Sequence, residues 1–247
     1  MRRIDLNADL AEEQGDDDAI FPFLSSANIA CGAHAGGARA MDAALALAAR
    51  HAVTIGAHVG YPDRANFGRI DVDIERGALT TILVEQIRQL QDRAARHGRR
   101  VRYVKPHGAL YHRVARDPEQ AGALIDAVQA TDPSLELLVP FSPILHTLAG
   151  TIPCRHEFFA DRGYHLDGTL VGRTETAAHI VRIEAIVERT LRWLEEGLLT
   201  SVEGKDLRIE ADSICIHGDS PLAVHVAGAL HDGLVAHGVT ITSWMAA

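Results

Sequence analysis

Four apolar runs in this 247-residue chain end alike, with histidine and glycine just after a short β-like segment. Lysine and histidine are costly to bury, and proline cannot donate a strand hydrogen bond, so such residues mark strand ends. One such ending would be an accident of a loop, but four indicate a place where strand ends converge. The four are NIACGAHAGG (Asn28 to Gly37), VTIGAHVGYPD (Val53 to Asp63), VKPHGALYH (Val104 to His112) and SICIHGDSP (Ser213 to Pro221).

Short apolar runs alternate with helical patterns through the whole chain, which predicts a parallel sheet. About eight such units predict a single α/β domain over residues 1–247, a (β/α) barrel of about seven to eight parallel strands. A doubly wound open sheet is the alternative. The predicted strands are Arg3–Ala8, Ala27–Cys31, Val53–Ala57, Val101–Val104, Leu135–Val139, Pro153–Phe159, Ser213–Ile216 and Val239–Ser243. The predicted helices are Ala38–Ala52, Ile74–Arg96, Pro118–Ala130, Thr176–Glu196 and Pro221–His237.

The composition argues against several classes of partner. A formal net charge of −9 disfavours nucleic acid and anionic membranes. No run of about 18 apolar residues occurs, so we expect no transmembrane helix, and the N-terminus lacks the apolar segment of a signal peptide. The three cysteines cannot all pair, and each lies in an apolar run. Reduced thiols and a cytoplasmic location are therefore expected.

In a barrel, functional groups lie on the loops after the carboxyl ends of the strands. Asp5, Asn7 and Asp9 alternate along the first strand, so they share one side, which we expect to face the interior with Asp9 at the mouth. The alternative is that Asn7 and Asp9 only bind loop backbone. Glu12 is a weaker candidate.

The third and first endings carry further candidates. A lysine at a barrel mouth, such as Lys105 followed by His107, binds phosphate or carboxylate or stabilises an oxyanion. Cys31 with His34 would make a nucleophile and base, although a buried inert thiol is the favoured interpretation.

The stretch EFFADRGYHLDGTLVGR supplies two arginines, Arg162 and Arg173, and arginine suits bidentate binding of a carboxylate. For Asp161 and Arg162 the alternative is a structural ion pair between the two. A P-loop is not present, because Gly204 and Lys205 are followed by aspartate rather than serine or threonine.

A metal site is not firmly predicted. Asp9 and four histidines at the predicted mouth, His34, His58, His107 and His217, offer more ligands than zinc needs. No HxxxH or HExxH spacing occurs among them. If a divalent metal binds, the ligands expected from the sequence are Asp9, His34, His58 and His107.

Taken in order, these motifs resemble the LamB/YcsF family, the A subunits of ATP-hydrolysing 5-oxoprolinase. The resemblance implies a glycoside hydrolase/deacetylase-like (TIM-like) barrel. It also implies ATP-dependent hydrolysis of the cyclic amide 5-oxo-L-proline to L-glutamate, with ADP and phosphate released. ATP with Mg²⁺ would be the cofactor, and 5-oxoprolinase subunits B and C the partners. The matching pieces, spanning residues 4–221, are IDLNADL, SSANIACGAHAGG, IGAHVGYPD with FGR, VKPHGALY, FADRGYHLDGTLVGR and SICIHGD.

Five positions depart from the usual family pattern. Ala11 replaces a glycine, Gly37 an aspartate, Val59 a proline, Ile70 an arginine and Gly172 a proline. The loss of one acid and one arginine motivates an alternative, a non-catalytic substrate-binding subunit. Another alternative is a metal-dependent amide hydrolase or deacetylase of small molecules or sugars. A homo-oligomer is left open.

Opening a lactam needs a base for water, an acid for the nitrogen and cations for the developing oxyanion. We assign Asp9 or His107 as base, His58 or His217 as acid, and Lys105 to the oxyanion or phosphoryl group. We expect the substitution Lys105→Met to abolish turnover and leave the fold intact. The residues assigned to substrate binding are Asn7, Asn28, His34, Asp161, Arg162 and Arg173.

Overall fold

Strands and helices alternate in the computed structural model, which describes residues 2–218 and 220–245. Asp219, which follows the fourth His-Gly ending, lies outside the described residues. The strands are β1 (Arg2–Leu10), β2 (Ser26–Ala30), β3 (Thr54–Val59), β4 (Val101–Pro106), β5 (Glu136–Leu138), β6 (Cys154–Arg155), β7 (Glu157–Phe159), β8 (Leu198–Thr200), β9 (Asp206–Arg208), β10 (Ser213–His217) and β11 (Val239–Ile241). The helices are α1 (Asp17–Ile20), α2 (Ala38–Arg50), α3 (Arg76–Arg96), α4 (Gly108–Arg113), α5 (Pro118–Thr131), α6 (Pro143–Ala149), α7 (Ile183–Glu196) and α8 (Ala223–Ala236).

Eight parallel strands lie side by side in the order β6-β5-β4-β3-β2-β1-β10-β7. Strand β11 pairs in parallel with the first residues of β1. The two end strands, β6 and β7, are separated in the chain by His156 alone. One stretch of chain therefore forms both edges of the sheet, which curls into a near-closed barrel. The predicted parallel barrel is confirmed, and the open doubly wound sheet is wrong.

The predicted strands all form, but the pattern Pro153–Phe159 is divided at His156, where pairing changes from β5 to β10. The predicted helix Thr176–Glu196 begins only at Ile183. The residues before it form a loop because Ile180 N–H donates to the Asp161 carbonyl at 2.9 Å. The polar connection after α7 forms the antiparallel hairpin β8–β9, which the predicted strands do not include.

The helices pack outside the sheet, and α5, which lies against both α3 and α6, is buried on more than one face. Helix α3 packs there with a buried stripe of Leu79, Leu83, Gln86, Ile87 and Leu90. No helix in the described ranges is long and apolar enough to cross a membrane.

Candidate active site

The inward side chains of β1 are polar, as their alternation predicts, and they bind one another across the barrel. Asp5 accepts hydrogen bonds from the hydroxyls of Ser25 and Ser26, both at 2.6 Å, and from Ser213. Asn7 Nδ2 donates to Ser213 Oγ at 2.6 Å. Burial outweighs these bonds and raises the pKa of Asp5 to about 6. Asp5 and Asn7 thus form a polar layer beneath the mouth.

Asn28 on β2 connects this layer to Asp9. Its Nδ2 donates to Asn7 Oδ1 at 2.7 Å and to Asp9 Oδ1 at 2.8 Å. Its own Oδ1 accepts from the Tyr103 hydroxyl at 2.6 Å. The sequence assigned Asn7 and Asn28 to substrate binding. In the structure these polar atoms bind one another and Asp9, and they hold Asp9 in position.

Lys105 on β4 lies fully inside the barrel between two acids. Its Nζ lies 2.8 Å from Asp9 Oδ1, 3.0 Å from Glu157 Oε2 and 3.3 Å from Cys215 Sγ, and 5.3 Å from the centroid of the Phe159 ring. Burial alone would lower the pKa of Lys105, but Asp9, Cys215 and Glu157 raise it well above its ordinary value. The lysine is a fixed cation beneath the mouth, not a base.

Asp9 is the acid that reaches the mouth, with its side chain 11 % exposed against 2 % for Lys105. Its Oδ1 is held by Lys105 and Asn28, whereas Oδ2 lies 3.3 Å from His58 Nε2. Burial opposes ionisation, but His58, Lys105 and His217 hold the pKa of Asp9 well below its usual value. Asp9 is therefore an ionised carboxylate with one oxygen facing the histidines.

Three histidines surround one oxygen of Glu12. Glu12 Oε1 lies 3.2 Å from His34 Nε2, 3.3 Å from His107 Nδ1 and 3.7 Å from His58 Nε2. The rings of His34 and His107 stack, with centroids 3.8 Å apart and planes 4° from parallel. Burial would raise the pKa of Glu12, but the contacts with His107 and His34 lower it strongly, whereas burial lowers the pKa of His34 to about 3.

Backbone carbonyls fix the tautomers of two of these rings. His58 Nδ1 lies 3.1 Å from the Lys105 carbonyl oxygen, and His107 Nε2 lies 2.8 Å from the Phe67 carbonyl oxygen. A carbonyl only accepts, so each of these outer nitrogens carries its proton. The other ring nitrogens, His58 Nε2 and His107 Nδ1, face the mouth, and each carries a lone pair whenever its ring holds a single proton.

Local backbone conformation carries Glu12 into this cluster. Ala11 lies at φ 60°, in the left-handed region, and turns the chain sharply after β1. Gly36 packs against that turn, where a Cβ would lie 2.1 Å from the Ala11 carbonyl oxygen. Gly68 packs against His34 in the same way, because a Cβ added to Gly68 would lie 2.8 Å from the Cβ of His34. Glycine is thus required where the loops approach the cluster.

A second pair of groups follows β7 and β10. His217 Nδ1 lies 2.9 Å and 3.0 Å from the two oxygens of Asp161, and the His217 ring stacks on Phe159 at 5.4 Å. Burial would raise the pKa of Asp161, but His217 lowers it. Both residues line a cavity of about 390 Å³ together with Arg173, His179 and Leu222.

Arg162 has a different environment from Arg173. Its Nε donates to the Ala178 carbonyl at 2.9 Å and its Nη2 to the Val171 carbonyl at 2.5 Å, so it ties the loop after β7 together. Asp161 binds His217. Of the two arginines, Arg173 is the one that lines the cavity.

Sequence reasoning brought the mouth residues together but underrated two acids, Glu12 and Glu157. Glu12 falls outside the alternation of Asp5, Asn7 and Asp9, and it reaches the cluster through the left-handed turn at Ala11. Glu157 is the partner that a buried Lys105 requires, and that requirement was the available signal. Cys31 is buried, as the favoured interpretation expects, and burial raises the pKa of its thiol to about 12.

Two departures from the family pattern have structural explanations. Gly37 is the N-cap of α2, which has no side-chain cap, so an aspartate there would cap a helix. Ile70 is 52 % exposed on the loop after β3. Neither residue belongs to the cluster around Glu12.

Fold and site together define a (β/α) barrel protein with histidines, carboxylates and one buried lysine at the mouth. A family model described as the LamB/YcsF family matches residues 4–247, and the chain belongs to this family. A relative from Pseudomonas syringae pv. tomato, the 5-oxoprolinase A subunit numbered 3, is 47 % identical over 92 % of this chain and 91 % of its own length. The 5-oxoprolinase A subunit numbered 1 of Agrobacterium fabrum is 44 % identical over 99 % of this chain and 98 % of its own length.

Solved structures agree on the fold. The lactam utilization protein from Thermus thermophilus superposes with a TM-score of 0.91 at 35 % identity, covering 98 % of this chain and all of that one. A putative cellobiose-phosphate cleavage protein from Enterococcus faecalis superposes with a TM-score of 0.57 at 12 % identity, covering 98 % and 97 %, which reflects the shared fold alone.

Proposed function

We propose that this chain is the A subunit of an ATP-dependent 5-oxoprolinase, a hydrolase that opens the lactam of 5-oxo-L-proline to L-glutamate. The observation that carries the proposal is the pairing of Lys105 with Asp9 at the mouth of a barrel whose relatives have that name. A fixed cation beside an ionised carboxylate suits a reaction in which a carbonyl oxygen gains charge and water is deprotonated.

The need for ATP follows from the chemistry of the substrate. A five-membered lactam is a stable amide with a poorly electrophilic carbonyl carbon. Phosphorylation of the lactam oxygen by Mg²⁺–ATP turns that oxygen into a leaving group, after which water attacks the carbon. The C–N bond of the adduct then breaks as the nitrogen takes a proton, which gives an acyl phosphate of glutamate. A second water hydrolyses this acyl phosphate and releases phosphate and L-glutamate. The family motifs contain no P-loop, so we assign the phosphoryl-transfer site to the partner subunits B and C.

The geometry favours particular residues for the proton transfers. Asp9 is our first choice of base, because its Oδ2 faces the mouth while Oδ1 is held by Lys105 and Asn28. His217 is our first choice of acid, because the Asp161 carboxylate orients its ring as in hydrolase triads. His58 and His107 are the second choices for acid and base.

The cavity beside His217 is the proposed substrate site. Its volume of about 390 Å³ lies in the usual range for small-molecule pockets. Arg173 would bind the substrate carboxylate there. Arg162 is the weaker candidate, because its side chain donates to loop carbonyls.

The decisive experiment measures glutamate release from 5-oxo-L-proline with and without ATP. The chain is assayed alone and then with its B and C partners. Release that requires both ATP and the partners supports the proposal. Absence of release in every combination, with all proteins folded, would overturn it. The variants Asp9→Asn and Arg173→Met should lower the rate, whereas Arg50→Met, on the exposed end of α2, should not.

A further inference from the structure

Four ligand atoms from four buried residues converge beside the barrel mouth. Glu12, His34, His58 and His107 each offer one atom, and all four atoms lie within 4.8 Å of one another. They arrive from the loop after β1, the loop after β2, β3 itself and the end of β4. Four separate segments of the fold therefore direct their polar atoms to one point.

The fixed tautomers make this point a site for a cation. His58 Nε2 and His107 Nδ1 lie 2.9 Å apart, and in the neutral rings both carry lone pairs, because the protons are on the outer nitrogens. Two facing lone pairs repel unless a positive species lies between them. Outer nitrogens that donate to backbone carbonyls are also the usual arrangement of metal-bound histidines.

The remaining atoms distinguish a metal ion from a single proton. A proton would join only two of the four atoms, yet Glu12 Oε1 also lies 3.2 Å from His34 Nε2. The buried Nδ1 of His34 has no partner among the described residues. The ring can therefore carry its proton on Nδ1 and turn the lone pair of Nε2 to a metal ion in place of the contact with Glu12. Hence three imidazoles and a carboxylate can act together.

We propose that Glu12, His34, His58 and His107 bind one divalent first-row transition metal ion of the Zn²⁺ class. Nitrogen-rich sets with one carboxylate suit zinc or cobalt, whereas Mg²⁺ and Ca²⁺ prefer oxygen ligands. When bound, such an ion supplies Lewis-acid activation of a carbonyl oxygen. Asp9, 3.3 Å from His58 Nε2, would accept a proton beside it. The inference goes beyond the proposed lactam hydrolysis and does not rest on it.

The test uses the full chain alone, stripped of metal by a chelator. Co²⁺ is titrated in while its visible absorption is followed, and Zn²⁺ stoichiometry after dialysis is measured by elemental analysis. We expect one equivalent per chain. The variant Glu12→Gln keeps the size of the side chain but loses the anionic ligand. Its affinity should fall at least as much as the roughly 10–100-fold that follows loss of an outer-shell partner.

A matched control comes from a second histidine pair. His146 Nε2 and His156 Nε2 lie 3.0 Å apart near the seam between β6 and β7. The double variant H146A/H156A should retain full binding. Binding that survives Glu12→Gln but is lost in H146A/H156A would overturn the assignment. So would failure of the wild-type chain to bind stoichiometrically, a result that does not depend on how Glu12→Gln folds. Lactam, ATP and partners are absent, so a failure here is distinguishable from failure of the proposed activity.

Discussion

Lys105 Nζ lies 2.8 Å from Asp9 Oδ1 in the barrel interior, and Glu157 lies 3.0 Å from the other side of the same ammonium group. Removal of the ammonium group would leave two carboxylates buried without their shared cation, which is strongly destabilising. Charge balance and the proposed chemistry thus depend on the same side chain.

The substitution Lys105→Met should therefore affect both turnover and stability. We expect loss of glutamate release in the assembled complex and a decrease of about 3–5 kcal/mol in the free energy of unfolding. The variant should keep its fold, as expected from the sequence, but with this lower stability. Lys205→Met, on the exposed β8–β9 hairpin, is the control and should change neither quantity. Normal turnover in the Lys105 variant would remove Lys105 from the mechanism.

The Asp161–His217 pair leads to a second prediction. Asp161→Asn removes the carboxylate that orients the His217 ring, and we expect kcat for glutamate release to fall by roughly 10²–10⁴-fold. Asp167→Asn, on the exposed part of the same loop, should leave kcat unchanged. Equal rates for both variants would mean that His217 is not the acid.

The barrel and most of its mouth could be predicted because strand ends have a clear local pattern. Periodicity locates β1 and the inward side of Asp5, Asn7 and Asp9, and the His-Gly endings locate His34, His58, Lys105 and His217. A local sequence pattern does not predict a side chain's position where the backbone takes an unusual conformation. Glu12 reaches the cluster only through the left-handed residue before it, and alanine gives no sign of that conformation.

The weaker predictions have a related cause. The three-residue strands of the β8–β9 hairpin are too short for alternation to identify them. The pairing of Arg162 with loop carbonyls depends on where the loop after β7 folds back. Both are consequences of tertiary contacts that no local pattern encodes.

Ala11 leads to a third prediction, on backbone strain. Its φ of 60° costs an L-residue about 1 kcal/mol, so Ala11→Gly should raise the free energy of unfolding by about that amount. Chemical denaturation measures the change. Ala52, at φ 57° after α2, is exposed, whereas Ala11 is buried, so Ala52→Gly loses no buried methyl group and should give the larger gain, without any effect on turnover. A loss of stability in both variants would contradict the left-handed assignment.

Gly37 leads to a fourth prediction. A side chain there meets nothing within 4 Å, and the backbone is extended, so aspartate fits without strain. Gly37→Asp should cap α2 and raise the free energy of unfolding by about 0.5 kcal/mol, since its carboxylate accepts from free N–H groups. Gly37→Ala lacks the oxygen and should give no gain. A change in substrate specificity with Gly37→Asp would contradict a purely structural role for this departure.

Asp5 leads to a prediction about pH. Burial raises its folded-state pKa to about 6 from an ordinary value of 3.8, so between these values the folded state binds more protons than the unfolded state. The contribution of Asp5 to the free energy of unfolding is therefore greatest below pH 3.8 and is lost as pH rises to about 6.

Asp5→Asn does not titrate, so its stability relative to wild type should rise with pH across that window by up to about 1.4 kcal/mol per pH unit. Above pH 6 the difference should level off, because Asp5 is then ionised in both states of the wild-type protein. Denaturant unfolding at several pH values measures the difference, with Asp18→Asn on the exposed surface as the control. A difference between variant and wild type that stays constant from pH 4 to pH 7 would show that Asp5 is ionised throughout, and that the serine hydroxyls around it outweigh its burial.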